Sequence, residues 1–274
     1  PRGARVNIVL PPLALNGPTV TIRLFPQALS LEAMVERKSL DMAMARLLQS
    51  FVQARLNIIV SGGTGSGKTT LLNALSTFID PAERIITIED AAELTLDQPH
   101  TIRLETRPAN VEGGGQVTIR DLVRNSLRMR PDRIIVGECR GGEALDMLQA
   151  MNTGHEGSLT TVHANSPEDA LVRLETLASM SDVDMPFQAL HDQVNSAIDI
   201  IVQLQRTSYG ARRVITVSYV TSRRQEPFCI EPIMEWVHVP QNPREGSFHA
   251  RGLSDPLRER LAASGVSVNH EGAA

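Results

Sequence analysis

The sequence predicts an α/β fold, a mostly parallel sheet covered by helices on both faces, and three observations lead there. Between Asn57 and Ala197 short apolar runs alternate with stretches of helical spacing, the pattern left by parallel strands joined through helical crossovers. The stretch Gly62-Gly63-Thr64-Gly65-Ser66-Gly67-Lys68-Thr69 follows one such run and opens a helical one. It fits G-x-x-x-x-G-K-[ST] in the strand–loop–helix context that motif needs. Two further apolar runs, Arg84–Glu89 and Arg133–Glu138, each end in acids, at the strand ends beyond which such sheets bind ligands.

Taken in order, residues 5–10 and 19–25 read as strands, with Pro11, Pro12, Asn16, Gly17 and Pro18 in the connection. Two strands make no stable sheet alone. They read as the end of a small domain over residues 1–29, and a chain opening at Pro1 in mid-pattern points to an amino-terminal piece not included. Pro26 closes this part. A linker over 30–40 carries a short helix at 31–37, with Ser30 as its N-cap. The main domain spans 41–266 and starts with a helix at 41–54, where Met44, Leu47, Leu48, Phe51 and Val52 recur at helical spacing. Strands follow at 57–61, 84–89, 101–104, 133–137 and 158–162. Helices fall at 68–79, 118–129, 141–152, 166–180 and 186–197. Glu112-Gly-Gly-Gly-Gln116 reads as a flexible loop. The chain is β-rich after 197, with strands at 198–205, 212–220 and 226–237 and a turn at Ser208-Tyr209-Gly210. A short helix at 255–263 precedes a frayed tail over 267–274.

The 274 residues are 42% hydrophobic, enough for a packed core. A net charge of −4 and 3% aromatic residues, with Trp236 the only tryptophan, give no bulk case for nucleic-acid binding. Two cysteines, Cys139 and Cys229, make neither a metal nor a disulfide framework and fit a reducing compartment. No apolar run approaches the length of a membrane span, so membrane association is expected to be peripheral or through a partner.

The glycine loop is a cradle for phosphate. Its backbone N–H groups converge on phosphate oxygens, and the following helix adds its orphan donors. Lys68 then reaches the β- and γ-phosphates and the Thr69 hydroxyl ligates Mg²⁺. Glu138 stands where an aspartate is usual, as a direct or water-mediated Mg²⁺ contact, with Arg140 and Glu143 able to orient it or to pair with each other. It is expected on the strand beside the loop strand. Glu89 is the leading group for positioning the attacking water, while neighbouring Asp90 can equally cap a turn. His155 and His163 flank the strand at 158–162. His163 falls on the nucleotide side and His155 at the opposite end of the strand; His163 can sense the γ-phosphate by donating a hydrogen bond, though a purely structural role is as open. Arg120, Arg124 and Arg128 form a cationic stripe, with Arg103 and Arg107 before the glycine-rich loop. That stripe is a solvated face paired with Asp121 and other acids, an arginine supplied across a subunit boundary, or a nucleic-acid contact. Cys139 reads as packing.

Four boxes now stand in order: GGTGSGKTT, RIITIEDAAEL, RMRPDRIIVGECRGGEALDMLQAMNTG and TGHEGSLTTVHANSP. Together they resemble the ATPases of type II and type IV secretion and of type IV pili. The intervening IRLETRPANVEGGGQVTIRDLVRNSLRMRPD is most similar to the CpaF-like branch of tight-adherence pilus assembly. The resemblance implies a RecA-like motor that uses ATP and Mg²⁺ in a homo-hexameric ring. Such a ring sits in the cytoplasm at the inner membrane, against the platform proteins of a pilus or secretion system, and needs no direct nucleic acid. It implies that the loop, with Thr70, holds the phosphates. Glu89 acts on water, Glu138 is the Walker B acid, and His155 and His163 belong to a histidine box at the nucleotide. Arg128 reaches the γ-phosphate. Arg103, Arg107 and Arg23, the last in the final strand of the small domain, face the nucleotide too. The alternatives it leaves are a DNA- or protein-transfer ATPase of type IV secretion and, more remotely, a nucleic-acid motor.

Overall fold

A computed structural model describes residues 3–25, 28–110, 112–239 and 242–266. Pro26 and the tail over 267–274 lie outside the described residues. The front of the chain is a separate two-stranded antiparallel ribbon, β1 (Ala4–Val9) and β2 (Thr19–Leu24). Helices α1 (Leu31–Glu36) and α2 (Met42–Gln53) follow, capped by Ser30 and Asp41.

The remaining strands form one nine-stranded sheet. In chain order they are β3 (Ile58–Gly62), β4 (Ile85–Glu89), β5 (Thr101–Glu105), β6 (Arg133–Val136), β7 (Leu159–Val162), β8 (Ile200–Arg206), β9 (Arg212–Val220), β10 (Ile230–Val239) and β11 (Asn242–Ala250). Across the sheet the order is β11-β10-β9-β8-β3-β7-β6-β4-β5. From β8 to β5 every neighbouring pair is parallel, and β9, β10 and β11 continue as antiparallel strands. Strand side chains alternate between two cores. Ile58, Val60, Ile85, Ile135, Leu159, Ile200 and Val202 face α1, α2, α3 (Lys68–Ser76) and α8 (Asp255–Ala263). Ile59, Ile86, Ile88, Ile134, Val136, Val162 and Ile201 face α4 (Ile119–Ser126), α5 (Glu143–Asn152), α6 (Pro167–Ser179) and α7 (Phe187–Ala197). Burial on both faces is why these strands read as unbroken apolar runs. Among the described residues no helix is long and apolar enough to cross a membrane.

Three expectations need correction. The strand at Asn242–Ala250 was not predicted: NPREGSFHA has a proline, a glycine and charges in place of alternation, and its pairing with β10 supplies what its own pattern lacks. The loop at 112–116 is closed by hydrogen bonds. Arg107 and Val117 exchange both backbone bonds, Asn110 N–H donates to Gly114 O at 2.8 Å, and Gly114 N–H donates to Asn110 Oδ1 at 2.7 Å. Helices α3 and α4 stop at Ser76 and Ser126 and tighten into turns, because 3.6-residue spacing persists for a turn beyond the last full helical bond.

Candidate active site

Strand β3 runs straight into the phosphate loop, and the loop fits only because residue 62 is glycine. A Cβ there would lie 2.5 Å from Leu204 O and 2.7 Å from Ser66 Oγ. Lys68, 9% exposed, opens α3 and donates through Nζ to Gly62 O at 2.8 Å and Gly63 O at 3.1 Å. Burial lowers its pKa below the ordinary lysine value; the nearby Glu138 carboxylate opposes that shift and Arg140 adds to it. Thr69 and Thr70 follow in the first turn of the helix.

The acids arrive from two other strands at the same edge. Because the order is β8-β3-β7-β6-β4, the neighbours of the loop strand are β8 and β7, not β6, after which Glu138 comes. Glu138 lies two residues beyond β6 and accepts from Arg140 Nη2 at 2.6 Å, while Arg140 Nη1 also reaches Asp90 at 3.4 Å. Glu143 turns the other way and caps the Arg140 and Gly141 N–H groups. Glu89 ends β4 and is 4% exposed. Its Oε1 accepts from the N–H groups of Glu93 at 3.0 Å and Leu94 at 2.9 Å, while Oε2 is buried without a partner. Burial raises this carboxyl to about 7, against the pull of those two N–H donors. Ser66 Oγ in the loop and Gln203 Oε1 on β8 are likewise buried and unpartnered. Orphaned polar atoms in this number at one edge are the mark of a site shaped for a polar ligand.

The other predicted residues divide. His163 is exposed just beyond the carboxyl end of β7, between the loop and Glu138 in strand order. His155 precedes β7 at the opposite edge, with Nδ1 3.3 Å from Ala150 O. It therefore lies at the edge away from its own phosphate loop, as its place before β7 requires, which parts it from the nucleotide-facing role the resemblance implies. Arg128 also lies toward that far edge: it follows α4 on the way to the start of β6, and the adjacent Met129 O accepts from Arg84, which precedes β4. Arg120 and Arg124 are not a free stripe, since both bind Asp146 and Asp182, and Asp121 caps α4 through Thr118 instead. Arg103 donates to Ala92 O and is near enough to draw on Glu89. Arg107 braces the closed loop through Gly115 O at 2.6 Å. Arg23 and Arg5, directly opposite each other on the ribbon, both approach Glu93 at 3.7 Å. Cys139 is buried and its thiol is pushed up to about 12 by that burial, in keeping with packing.

Residues 1–232 match the model of the family described as type II/IV secretion system protein. The chain belongs to that family. Within it, the chain is 43% identical over 260 residues to a putative conjugal transfer protein of Mycobacterium tuberculosis, covering 94% of this chain and 71% of that one. It is 40% identical over 248 residues to the type IV secretion system protein PtlH of Bordetella pertussis, covering 80% and 73%. Among solved structures it is similar to the VirB11 ATPase of the Brucella suis type IV secretion system in complex with sulphate. That match has a TM-score of 0.57 and 32% identity, over 80% of this chain and 71% of that one. The pilus retraction motor PilT with bound ADP shares the fold, with a TM-score of 0.55 and 18% identity over 95% and 63%. The expected fold class thus stands for this secretion-family chain.

Two residues of the site went unrecognised in the sequence. Arg206 ends β8 and Arg212 opens β9 at the carboxyl edge, and Arg212 Nε donates to Gly65 O at 2.9 Å. The available signal was a pair of arginines bracketing a five-residue turn, at the end of a strand that pairs with the loop strand.

Proposed function

We propose that this chain is the motor part of an ATP-hydrolysing ring. It would power protein secretion across a bacterial envelope, or the assembly or retraction of a tight-adherence or type IV-like pilus. One observation carries the reading: Glu89, buried with a free Oε2 and a carboxyl near 7, shares an edge with the phosphate loop. A base of that kind is half ionised at neutral pH and suited to take a proton from water. ATP is the substrate. The loop N–H groups, Lys68, Thr69 and Thr70 hold its phosphates. Thr69 and Glu138 form an oxygen donor pair for Mg²⁺, which when bound neutralises charge on the phosphates. The fit of these groups is supported by the orphaned Ser66 Oγ and the Gly62 cradle.

His163, exposed just beyond β7, senses the γ-phosphate in this reading. Arg128, on the far edge, would act on a neighbour's site in a ring, taken here as a homo-hexamer. Arg23 acts from the small domain through the acidic run at Glu93. The ring would work in the cytoplasm against inner-membrane platform proteins. The names of the relatives favour conjugal transfer or type IV secretion as the system served, over the tight-adherence pilus. In the test, Lys68→Ala lowers ATP turnover at least about a hundredfold. Unchanged turnover in that variant overturns the site.

A further inference from the structure

The turn between β8 and β9 holds the phosphate loop from outside, and nothing in the reading above uses it. Arg206 and Arg212 are the last cross-strand pair of the β8–β9 ladder. Two like charges directly opposite each other are a destabilising pair. Among the described residues neither has a carboxylate within ion-pair distance. Both lie instead against the glycine loop. Arg212 donates to Gly65 O at 2.9 Å, and its Cδ is 3.6 Å from where a side chain on Gly67 would begin. Arg206 Nη1 is 3.7 Å from the corresponding point on Gly65.

The contact has a direction. Gly65 O and the Ser66 N–H belong to one peptide plane and point opposite ways. Arg212 holds the carbonyl, so the Ser66 N–H on the opposite side of that plane turns back into the loop, where it donates to Gly63 O at 3.3 Å. The turn is itself braced from the other face of β9. Arg213, 5% exposed, donates to Lys38 O at 3.2 Å and Tyr209 Oη at 3.1 Å, and stacks 3.7 Å from the ring centre of Trp236. The adjacent Val214 N–H donates to Ser39 O at 2.8 Å. The anchors run from the 37–39 linker, through the turn, to the loop.

We propose that Arg212 is a positioning residue of the nucleotide site, holding the Gly65–Ser66 peptide in the orientation that binds a nucleoside triphosphate. Arg206 adds a second cation toward the same polyphosphate. The inference rests on the ATPase reading. Its test measures kcat and KM for ATP, with affinity for a fluorescent ATP analogue, in wild type, Lys68→Ala, Arg212→Ala, Arg212→Lys and Arg206→Ala. Arg212→Ala should raise KM and the analogue's Kd about tenfold with kcat within about twofold. Arg212→Lys should recover most of that loss, and Arg206→Ala should show a smaller loss that fades in high salt. The melting temperature of both alanine variants should stay at the wild-type value, because both side chains are exposed. Loss of affinity in Lys68→Ala but not in Arg212→Ala overturns this proposal and leaves the ATPase reading intact. An equal loss in Arg212→Ala and Arg212→Lys with a lowered melting temperature also overturns it, in favour of a merely structural brace. A wild type that binds no nucleotide ends both readings.

Discussion

The two edges of the sheet are built to opposite rules. At the amino edge two buried polar centres, at Asn57 and Arg133, are answered almost completely, and among the described residues Gln98 Oε1, just before β5, is an exception on that side. Asn57, at the foot of β3, accepts from the N–H groups of Gly157 and Ser158 and donates to Ala197 O and Met151 O. Its own N–H goes to Asp199 at 2.7 Å, which is paired in turn with Arg260 of α8. Arg133, 1% exposed, grips Glu83 with two nitrogens and donates to Val52 O and Gly157 O. The packing leaves no room for a side chain at residue 157, where a Cβ would sit 2.7 Å from Arg133 Nη1. At the carboxyl edge Ser61 Oγ, Ser66 Oγ, Glu89 Oε2 and Gln203 Oε1 are buried and unanswered. Since an unpaired buried polar atom costs about 1–3 kcal/mol, one edge holds the domain together and the other gives up stability to present a site.

That contrast is breakable. The largest effect is expected at the satisfied edge: Arg133→Ala leaves Val52 O and Gly157 O buried without their donor and Glu83 with Arg55 alone, and should lower stability by about 3–5 kcal/mol. Denaturant unfolding reads it, and nucleotide affinity of the folded fraction should hold. Asn57→Ala strands two N–H groups and two carbonyls and should cost about 2–3 kcal/mol, measured the same way. At the open edge, Glu138→Gln should move stability by less than about 1 kcal/mol, because the Arg140 pair it weakens is largely exposed. The same variant should still bind ATP but lose turnover. Arg128→Ala should slow hydrolysis only in the assembled ring, compared by turnover at concentrations above and below assembly; equal slowing in a monomer would argue for a role within the subunit.

The parallel core was legible because burial on both faces leaves unbroken apolar runs, and the loop because its glycines and Lys68 stand at fixed spacing. Glu89 and Glu138 were legible as acids ending such runs. Strand order was not, since nothing in the residues of β7 says that it lies between β3 and β6. That one fact moved Glu138 a strand further off, whereas His155 stands at the far edge simply because it precedes β7, as the sequence already implies. Arg206 and Arg212 were hidden for a similar reason. Their meaning comes from the pairing of β8 with β3, which brings Arg212 to the Gly65 carbonyl from 147 positions away in sequence and Arg206 beside the same glycine. For the Arg120–Arg124 stripe the reading of a face paired with acids fits, but the partners are Asp146 and Asp182 in place of Asp121, which helical spacing does not reveal.

Glu89 joins the two halves of the comparison. With its carboxyl raised from 4.5 to about 7 by burial, the folded state binds more protons than the unfolded one between those values. Its contribution is therefore fully favourable below about 4.5 and is lost as pH rises through about 7. Glu89→Gln keeps an acceptor for Glu93 and Leu94 and removes the buried charge. The decisive measurement is thermal stability and ATP turnover of wild type and Glu89→Gln at pH 5 and pH 8. The account predicts near-equal stability at pH 5. At pH 8 it predicts a variant more stable by about 1–3 kcal/mol whose turnover has fallen at least about a hundredfold. A variant at pH 8 that is less stable than wild type, or that hydrolyses ATP as fast, would contradict it.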